Sequence, residues 1–282
     1  MHAMQADKEH HFDEFAGEKE HQFQGSGRNL IIRTYEDFMQ NAIGGVVTRA
    51  SKDLARWATE VPKDWHGCQT VELGSGCGLV SSALLRMGAH IVATDLAEIL
   101  PHLEYNISLN AYSGCDEWHV QALNWDSSSV RAKDRAALRS KLGSSGADAI
   151  FAANCVYTRD TVGMFLKTLK ALSGPDTLAL MCGVPVPPAM LQDGETSIVD
   201  AFLSACPRFF DSYLLEVPGS LEDDEDEPRE SKYSPLALQL ARPHGLRVSA
   251  LADGIWLFKL PGCPCPSWLR PLLVLESTFG TS

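Results

Sequence analysis

Several features are missing from this 282-residue chain, and each absence narrows the class of protein. No apolar run approaches the roughly 20 residues that a membrane-spanning helix needs, and residues 1–20 lack the apolar core of a secretory signal. The eight cysteines form no paired framework, which is typical of reduced thiols. There is no basic surplus, since the formal net charge is −12. We therefore expect a cytoplasmic protein, with the nucleus as the alternative, that binds neither membrane nor nucleic acid.

A metal site is not predicted either. The pair Cys263-Pro-Cys265 lacks the spacing of a zinc half-site and has no second half. The histidines of the first residues, His2, His10, His11 and His21, fit no compact set of ligands. We expect both groups to be structural or exposed.

From residue 69 onwards, short apolar runs alternate with segments of helical periodicity. The strand-like runs are 69–73, 90–94, 118–122, 147–153, 177–182, 209–217 and 255–260. Alternating strands and helices predict an α/β fold with a mostly parallel sheet.

We predict one domain with extensions at both ends. Residues 1–22 are expected to be a flexible leader, and Phe23 to Arg33 to form a β-hairpin around a Gly-rich turn. The domain is expected to span residues 23–260, with an acidic insertion at 218–250 and a C-terminal tail at 261–282. The insertion carries six consecutive acids, 222–227. They are typical of a solvated loop, and they are also suited to attracting a Lys/Arg-rich protein.

The most informative stretch is Val71-Glu72-Leu73-Gly74-Ser75-Gly76-Cys77-Gly78-Leu79. A strand breaks into three alternating glycines and resumes as a helix, which leaves the backbone open to close approach by a ligand. Nineteen residues after Gly76, Asp95 ends the next strand, where a carboxylate falls beside the ribose of a nucleoside cofactor.

The dinucleotide fingerprint G-x-G-x-x-G would require glycine at Leu79, so that class of cofactor is disfavoured. Glu72 suits a cationic ligand, and S-adenosylmethionine carries a sulfonium and an ammonium. The residues therefore predict S-adenosylmethionine. Two structural alternatives stay open: the glycines could form only a tight turn, and Asp95 could cap the following helix.

These residues resemble the class I, seven-β-strand methyltransferases that use S-adenosylmethionine, and within them the protein-lysine methyltransferases of chaperones and translation elongation factors. The resemblance covers roughly residues 23–217 and 255–260. It rests on the N-terminal hairpin, on Gly45-Val46-Val47, on the motif from Val71 to Val80, and on the order of the later positions. Asn154-Cys155-Val156-Tyr157 stands where the family carries Asp-x-x-Tyr.

The resemblance implies a Rossmann-like, seven-stranded, mostly parallel sheet with helices on both faces and the last strand antiparallel between the fifth and sixth. It also implies the roles of the site residues. Asn154 and Tyr157 would face the incoming amine as the catalytic pair. The cofactor would be held by Glu72, Gly74, Ser75, Gly76, Gly78, Asp95, Leu96, Trp125 and Ala153.

Three positions depart from the family pattern, and structural alternatives remain for several others. The family's Trp-Asp is Thr48-Arg49 here, and the Asp of Asp-x-x-Tyr is Asn154. Taken singly, Trp125 could be core filler, Tyr157 a packing residue and Asn154 a turn residue. Cys77 and Cys155 have no histidine within sequence reach and are interpreted as small packing residues.

The function predicted is methyl transfer to a protein lysine by a monomer whose partner is a protein of basic, chaperone or translation-factor type. Two alternatives stay open: a methyltransferase for a small molecule, and a non-catalytic binding module that retains the fold.

Overall fold

The computed structural model describes residues 16–25, 28–37, 44–112, 117–126, 137–138, 140–142, 146–183, 198–215 and 255–277. The chain divides into two compact units, Met1–Asn124 and Trp125–Ser282, which are described in turn. The predicted acidic insertion lies outside the described residues. No helix in the described ranges combines the length and the apolar character needed to cross a bilayer.

The first unit opens with a two-stranded hairpin. Strands β1 (Ala16–Gly25) and β2 (Arg28–Asp37) pair antiparallel along their full length. The predicted hairpin is confirmed, but it starts at Ala16 instead of Phe23, so the predicted leader of residues 1–22 is too long. The reason is local: Glu18, Lys19 and Glu20 are all exposed and hide the alternation that marks a strand.

The rest of the first unit alternates helix and strand. The elements are α1 (Arg49–Glu60), β3 (Gln69–Leu73), α2 (Leu79–Arg86), β4 (His90–Asp95), α3 (Leu100–Ser108) and β5 (Trp118–Ala122). The three strands are parallel, with β4 in the middle. The interior residues of β3 and β4 are buried, so the carboxyl ends of these two strands are fixed side by side.

Two asparagines, Asn106 of α3 and Asn110 just beyond its end, hold the edge of β2 that faces away from β1. Asn106 Oδ1 accepts from Tyr35 N at 2.6 Å, and its Nδ2 donates to Tyr35 O at 3.0 Å. Asn110 does the same for Arg33, at 2.8 and 2.7 Å. The right-handed helical conformation continues at Leu109, and four residues at helical rise advance about 6 Å, against about 6.8 Å for two strand residues, so the spacings nearly match. We call Asn106 and Asn110 the asparagine clamp.

The second unit contains β6 (Ala149–Ala153), α4 (Arg159–Leu172), β7 (Leu178–Cys182), α5 (Ile198–Ala205), β8 (Asp211–Leu215), β9 (Ile255–Lys259) and β10 (Leu273–Ser277). Short 3-10 helices follow α5 and precede β10. All of β6 is buried, as expected of a central strand. Strand β6 is parallel to β7, and β9 is antiparallel to both β7 and β8, between which it lies.

The predicted fold class is confirmed: an α/β fold with a mostly parallel, Rossmann-like sheet and an N-terminal hairpin. Counted from β3, the seventh strand is β9, and it lies antiparallel between the fifth and sixth as the resemblance implied. An eighth strand, β10, pairs with β8 inside the segment predicted as a C-terminal tail. That tail is therefore structured at least over residues 261–277.

Candidate functional site

The three alternating glycines form the turn between β3 and α2. Gly74, Gly76 and Gly78 have φ values of 67°, 50° and 70°, in the left-handed region that a side chain disfavours. Gly78 N donates to Ser75 O at 2.7 Å, and Ser75 N donates to Thr94 O at 3.0 Å at the end of β4. The predicted glycine turn is confirmed, and it is tied to the neighbouring strand.

Asp95 reaches into this turn from the end of β4. Its Oδ2 accepts from Gly76 N at 2.7 Å, and its Oδ1 accepts from Leu96 N at 2.7 Å. Burial raises the pKa of Asp95, and the two N–H groups oppose that shift. Helix α3 begins only at Leu100, with Ile99 as its N-cap, so the alternative that Asp95 caps the helix is wrong. Each carboxylate oxygen keeps a lone pair for a ligand hydroxyl.

Glu72 is buried at the end of β3, and one of its carboxylate oxygens is already engaged. Oε2 accepts from Ser81 N at 3.0 Å and from Ser81 Oγ, in the first turn of α2. Burial raises the pKa of Glu72 to about 7, against the hydrogen bonds from Ser81 and Ser75. Glu72 therefore holds the start of α2, and its role in binding the amino-acid end of the cofactor stays a prediction.

The raised pKa of Glu72 predicts how stability depends on pH. The folded protein binds this proton more tightly than the unfolded chain, whose carboxyl titrates near 4.5. The contribution of Glu72 to the free energy of unfolding should therefore fall as pH rises from about 4.5 to 7.

We expect Glu72→Gln to remove this fall. Relative to the wild type, the variant should gain about 2–4 kcal/mol between pH 5 and pH 8 in urea unfolding without cofactor. A constant difference between the two proteins would contradict the assignment.

A histidine lies beside the turn, contrary to the expectation for Cys77. His102 of α3 places Nε2 3.6 Å from Cys77 Sγ, and the thiol donates to Gly44 O at 3.2 Å. Burial raises the pKa of Cys77 to about 12 and lowers the pKa of His102, so the two do not form a thiolate–imidazolium pair. Cys77 is therefore still interpreted as a packing residue, but the reason given for it was wrong. A histidine does contact Cys77, and it was missed because it lies 25 residues away in the sequence.

The segment that follows the hairpin packs directly on the turn. A Cβ built on Gly76 would lie 3.2 Å from both Gly44 Cα and Gly44 O. Glu36 of β2 accepts from Val47 N at 3.1 Å, which ties this segment to the hairpin. Neither contact was predicted. The approach of two glycines leaves no pattern in a single sequence, and neither does a hydrogen bond from a backbone N–H to a carboxylate eleven residues away.

Thr48, one of the three departures, has a structural role in this chain. It is the N-cap of α1, and its Oγ1 accepts from Ser51 N at 3.1 Å. Arg49 lies 3.6 Å from Asp53 one turn along the helix. A tryptophan at position 48 has no oxygen to cap the helix, so the departure from the family exchanges an aromatic surface for a helix cap.

The remaining predicted residues belong to the second unit. Asn154 follows β6 directly, has φ 49° and donates its N–H to Cys182 O at 2.9 Å, which extends the ladder between β6 and β7. Tyr157 is 45% exposed and precedes the capping box, Thr158 with Thr161, that starts α4. Trp125 packs edge-on against Phe165 with ring centroids 5.4 Å apart. Ala153 is buried at the end of β6.

The first-unit residues fit S-adenosylmethionine by the chemistry of their groups. Asp95 offers two acceptor oxygens for a ribose diol, and Leu96 beside it is 37% exposed, as a surface for an adenine ring. Together with the strand order, these features define the class I methyltransferases.

The comparison with family models gives the family. The model described as "Lysine methyltransferase" matches residues 27–184, more than half of the chain, so the chain belongs to the lysine methyltransferase family. Membership confirms S-adenosylmethionine as the cofactor that the sequence predicted.

Curated relatives carry related names. The chain is 27% identical over 174 residues to EEF1A lysine methyltransferase 3 of Xenopus tropicalis. The aligned residues make up 62% of this chain and 69% of the relative. It is 38% identical over 111 residues to protein-lysine methyltransferase METTL21E of Mus musculus, covering 39% and 43%. It is 29% identical over 154 residues to protein N-lysine methyltransferase METTL21A of Danio rerio, covering 54% and 66%.

Among solved structures, the chain is similar to Aeropyrum pernix fibrillarin in complex with natively bound S-adenosyl-L-methionine. The TM-score is 0.45 and the identity 11%, over 86% of this chain and 82% of that one.

Proposed function

We propose that this protein transfers a methyl group from S-adenosylmethionine to a lysine side chain of a protein. The observation that carries the proposal is the glycine turn closed by Asp95 in a chain that belongs to the lysine methyltransferase family. When bound, the cofactor supplies an activated methyl carbon. The chain's own task is to align the amine with it, which by itself lowers the barrier by several kcal/mol.

The residues of the chain have separable tasks in this proposal. Asp95 binds the ribose hydroxyls, and Leu96 beside it contacts the adenine. Asn154 and Tyr157 receive the acceptor. A lysine must arrive neutral, although its reference pKa is about 10.4. Desolvation near a positive sulfonium lowers that pKa, and the amide oxygen of Asn154 can accept a hydrogen bond from the neutral amine.

A protein substrate is favoured over a small molecule by the names of the relatives. The frog relative is named for EEF1A, so we propose a translation elongation factor as the first acceptor to test. The run of acids at 222–227 would suit a Lys/Arg-rich partner. We also propose that the protein acts as a monomer in the cytoplasm or nucleus.

The test is methyl transfer itself. Purified protein is incubated with S-adenosylmethionine labelled in the methyl group and with purified elongation factor 1A, and lysine methylation is read by mass spectrometry. Label on a lysine supports the proposal. Binding of the cofactor with label only on small molecules of an extract would favour the small-molecule alternative. Absence of cofactor binding would favour the non-catalytic module.

Asn154→Gly tests the acceptor half separately. Glycine tolerates the φ of 49° at this position, so the variant removes the amide without backbone strain. We expect kcat/KM for the protein acceptor to fall about tenfold, as for loss of one hydrogen bond in the transition state, with the affinity for S-adenosylmethionine unchanged. Asn154→Asp serves as the partner variant because it restores the family's residue. Unchanged kcat/KM in Asn154→Gly would show that the amide does not contact the acceptor.

A further inference from the structure

The buried contacts of Asn106 extend beyond the asparagine clamp. Asn106 is fully buried, and its Oδ1 is used by Tyr35 N. One hydrogen of Nδ2 is directed to Tyr35 O, and the other to His102 Nε2 at 3.3 Å. Because an amide nitrogen only donates, His102 Nε2 must accept and carries no proton. The ring is therefore the neutral tautomer with its proton on Nδ1.

His102 continues the contacts to the glycine turn. Its Nε2 is 3.6 Å from Cys77 Sγ, and the Cys77 thiol donates to Gly44 O. Gly44 lies against Gly76, whose N–H is held by Asp95. Burial lowers the pKa of His102, while Asp37 and Glu36 of β2 raise it; the net direction favours the neutral ring that this geometry needs.

We propose that Asn106 and His102 are positioning residues for the cofactor, which connect the N-terminal hairpin to the glycine turn and so make cofactor affinity depend on the docked hairpin. The proposal rests on the proposed function, because the ligand whose affinity is set is the methyl donor. Neither residue contacts that ligand; both act through Cys77 and Gly44 on the glycine turn, which does.

Asn110 provides a matched control within the same clamp. It holds Arg33 as Asn106 holds Tyr35, with two hydrogen bonds to one backbone residue. Its Nδ2 also donates to Asn106 O, but Asn110 makes no hydrogen bond to His102 in the described residues. Loss of either asparagine should loosen the hairpin to a similar degree, whereas only loss of Asn106 removes the contact with His102.

The experiment compares Asn106→Leu with Asn110→Leu in the full chain. Thermal unfolding without cofactor measures stability, and calorimetric titration measures the Kd for S-adenosylmethionine and S-adenosylhomocysteine. We expect similar decreases in Tm. The Kd should rise about tenfold in Asn106→Leu, within the usual range of coupling between sites, and stay near the wild-type value in Asn110→Leu. Equal changes in Kd would overturn the proposal, because hairpin stability alone would then explain them.

A second pair of variants keeps the test decisive if the asparagine variants do not fold. His102 is only half-buried, and glutamine places Oε1 near the position of Nε2, whereas leucine offers no acceptor. We expect His102→Gln to bind the cofactor as the wild type does, and His102→Leu to bind about tenfold more weakly. The same Kd in both variants would overturn the proposal.

The tautomer of His102 is a separate test. In ¹⁵N spectra of the ligand-free wild type, the His102 side chain should show a protonated Nδ1 and an unprotonated Nε2. The opposite tautomer would also overturn the proposal.

The wild-type titration separates this proposal from the proposed function. If the wild type does not bind S-adenosylmethionine, the proposed function fails and the inference fails with it. If the wild type binds and the matched variants do not differ, only the inference fails.

Discussion

Replacing Asp95 by alanine should weaken S-adenosylmethionine binding about 100-fold or more, the loss expected for two hydrogen bonds to a charged group. The carboxylate holds Gly76 N and Leu96 N, each at 2.7 Å, and each oxygen keeps a lone pair that can accept a hydrogen bond from a ligand. Its removal deletes the acceptors of the ribose hydroxyls and releases the glycine turn at the same time. Calorimetric titration with S-adenosylmethionine and S-adenosylhomocysteine measures the effect.

Two companion variants control this experiment. Asp95→Asn keeps the shape but turns an NH₂ group towards one of the two backbone donors, so its affinity should lie between those of the wild type and the alanine variant. Glu104→Ala, which removes an exposed carboxylate of α3, should bind as the wild type does. Because Asp95 also holds Gly76 N and Leu96 N, its loss should lower Tm without cofactor, and binding is therefore measured well below the Tm of the alanine variant. Binding of Asp95→Ala within about threefold of the wild type would contradict the assigned role.

Replacing Gly78 by alanine should lower the free energy of unfolding by about 3 kcal/mol, the sum of a left-handed residue and an overpacked core. Gly78 has φ 70°, and an added Cβ would lie 2.7 Å from Leu103 Cδ1 and 3.3 Å from Ile107 Cγ1. Both side chains are fully buried, so the shift that the added methyl group forces takes place within the packed core. Chemical denaturation at constant pH measures the loss.

Gly67 supplies the matched control for this variant. It has the same φ of 70°, but nothing lies within 4 Å of a Cβ added there. Gly67→Ala should therefore lose only about 1 kcal/mol, the backbone contribution alone. The difference between the two variants isolates the overlap with Leu103 and Ile107. Equal losses would show that α3 moves aside to admit the methyl group, and would contradict a rigid contact between α3 and the turn.

The parts of the site that could be predicted depend on residues close in sequence or at a fixed distance within one structural unit. The glycine turn is local, since three alternating glycines after an apolar run leave few conformations. Asp95 follows from the length of one strand–helix–strand unit. Strand β6 could be predicted because its five residues are buried on both faces and read as a continuous apolar run.

The parts that could not be predicted depend on contacts between distant segments. The approach of Cys77 to His102 requires the rotation of α3 about its axis, which the weak amphipathic pattern of that helix does not define. The asparagine clamp requires the register of β2 against α3 and the turn that follows it, with bonded residues 71 and 77 positions apart in the chain. Strand β10 follows a proline-containing 3-10 helix, and its apolar residues 273–275 are consecutive, so no alternation of apolar and polar residues marks it as a strand.

The asparagine clamp also bears on the solubility of the protein. The edge of a short hairpin normally presents free N–H and C=O groups that another polypeptide can pair with, which is a route to aggregation. At Arg33 and Tyr35 those groups are bound by the side-chain amides of Asn110 and Asn106 of the same chain. A chain that loses Asn106 or Asn110 would therefore expose a template for intermolecular strand pairing. Its self-association would grow with protein concentration even where the folded protein still binds its cofactor.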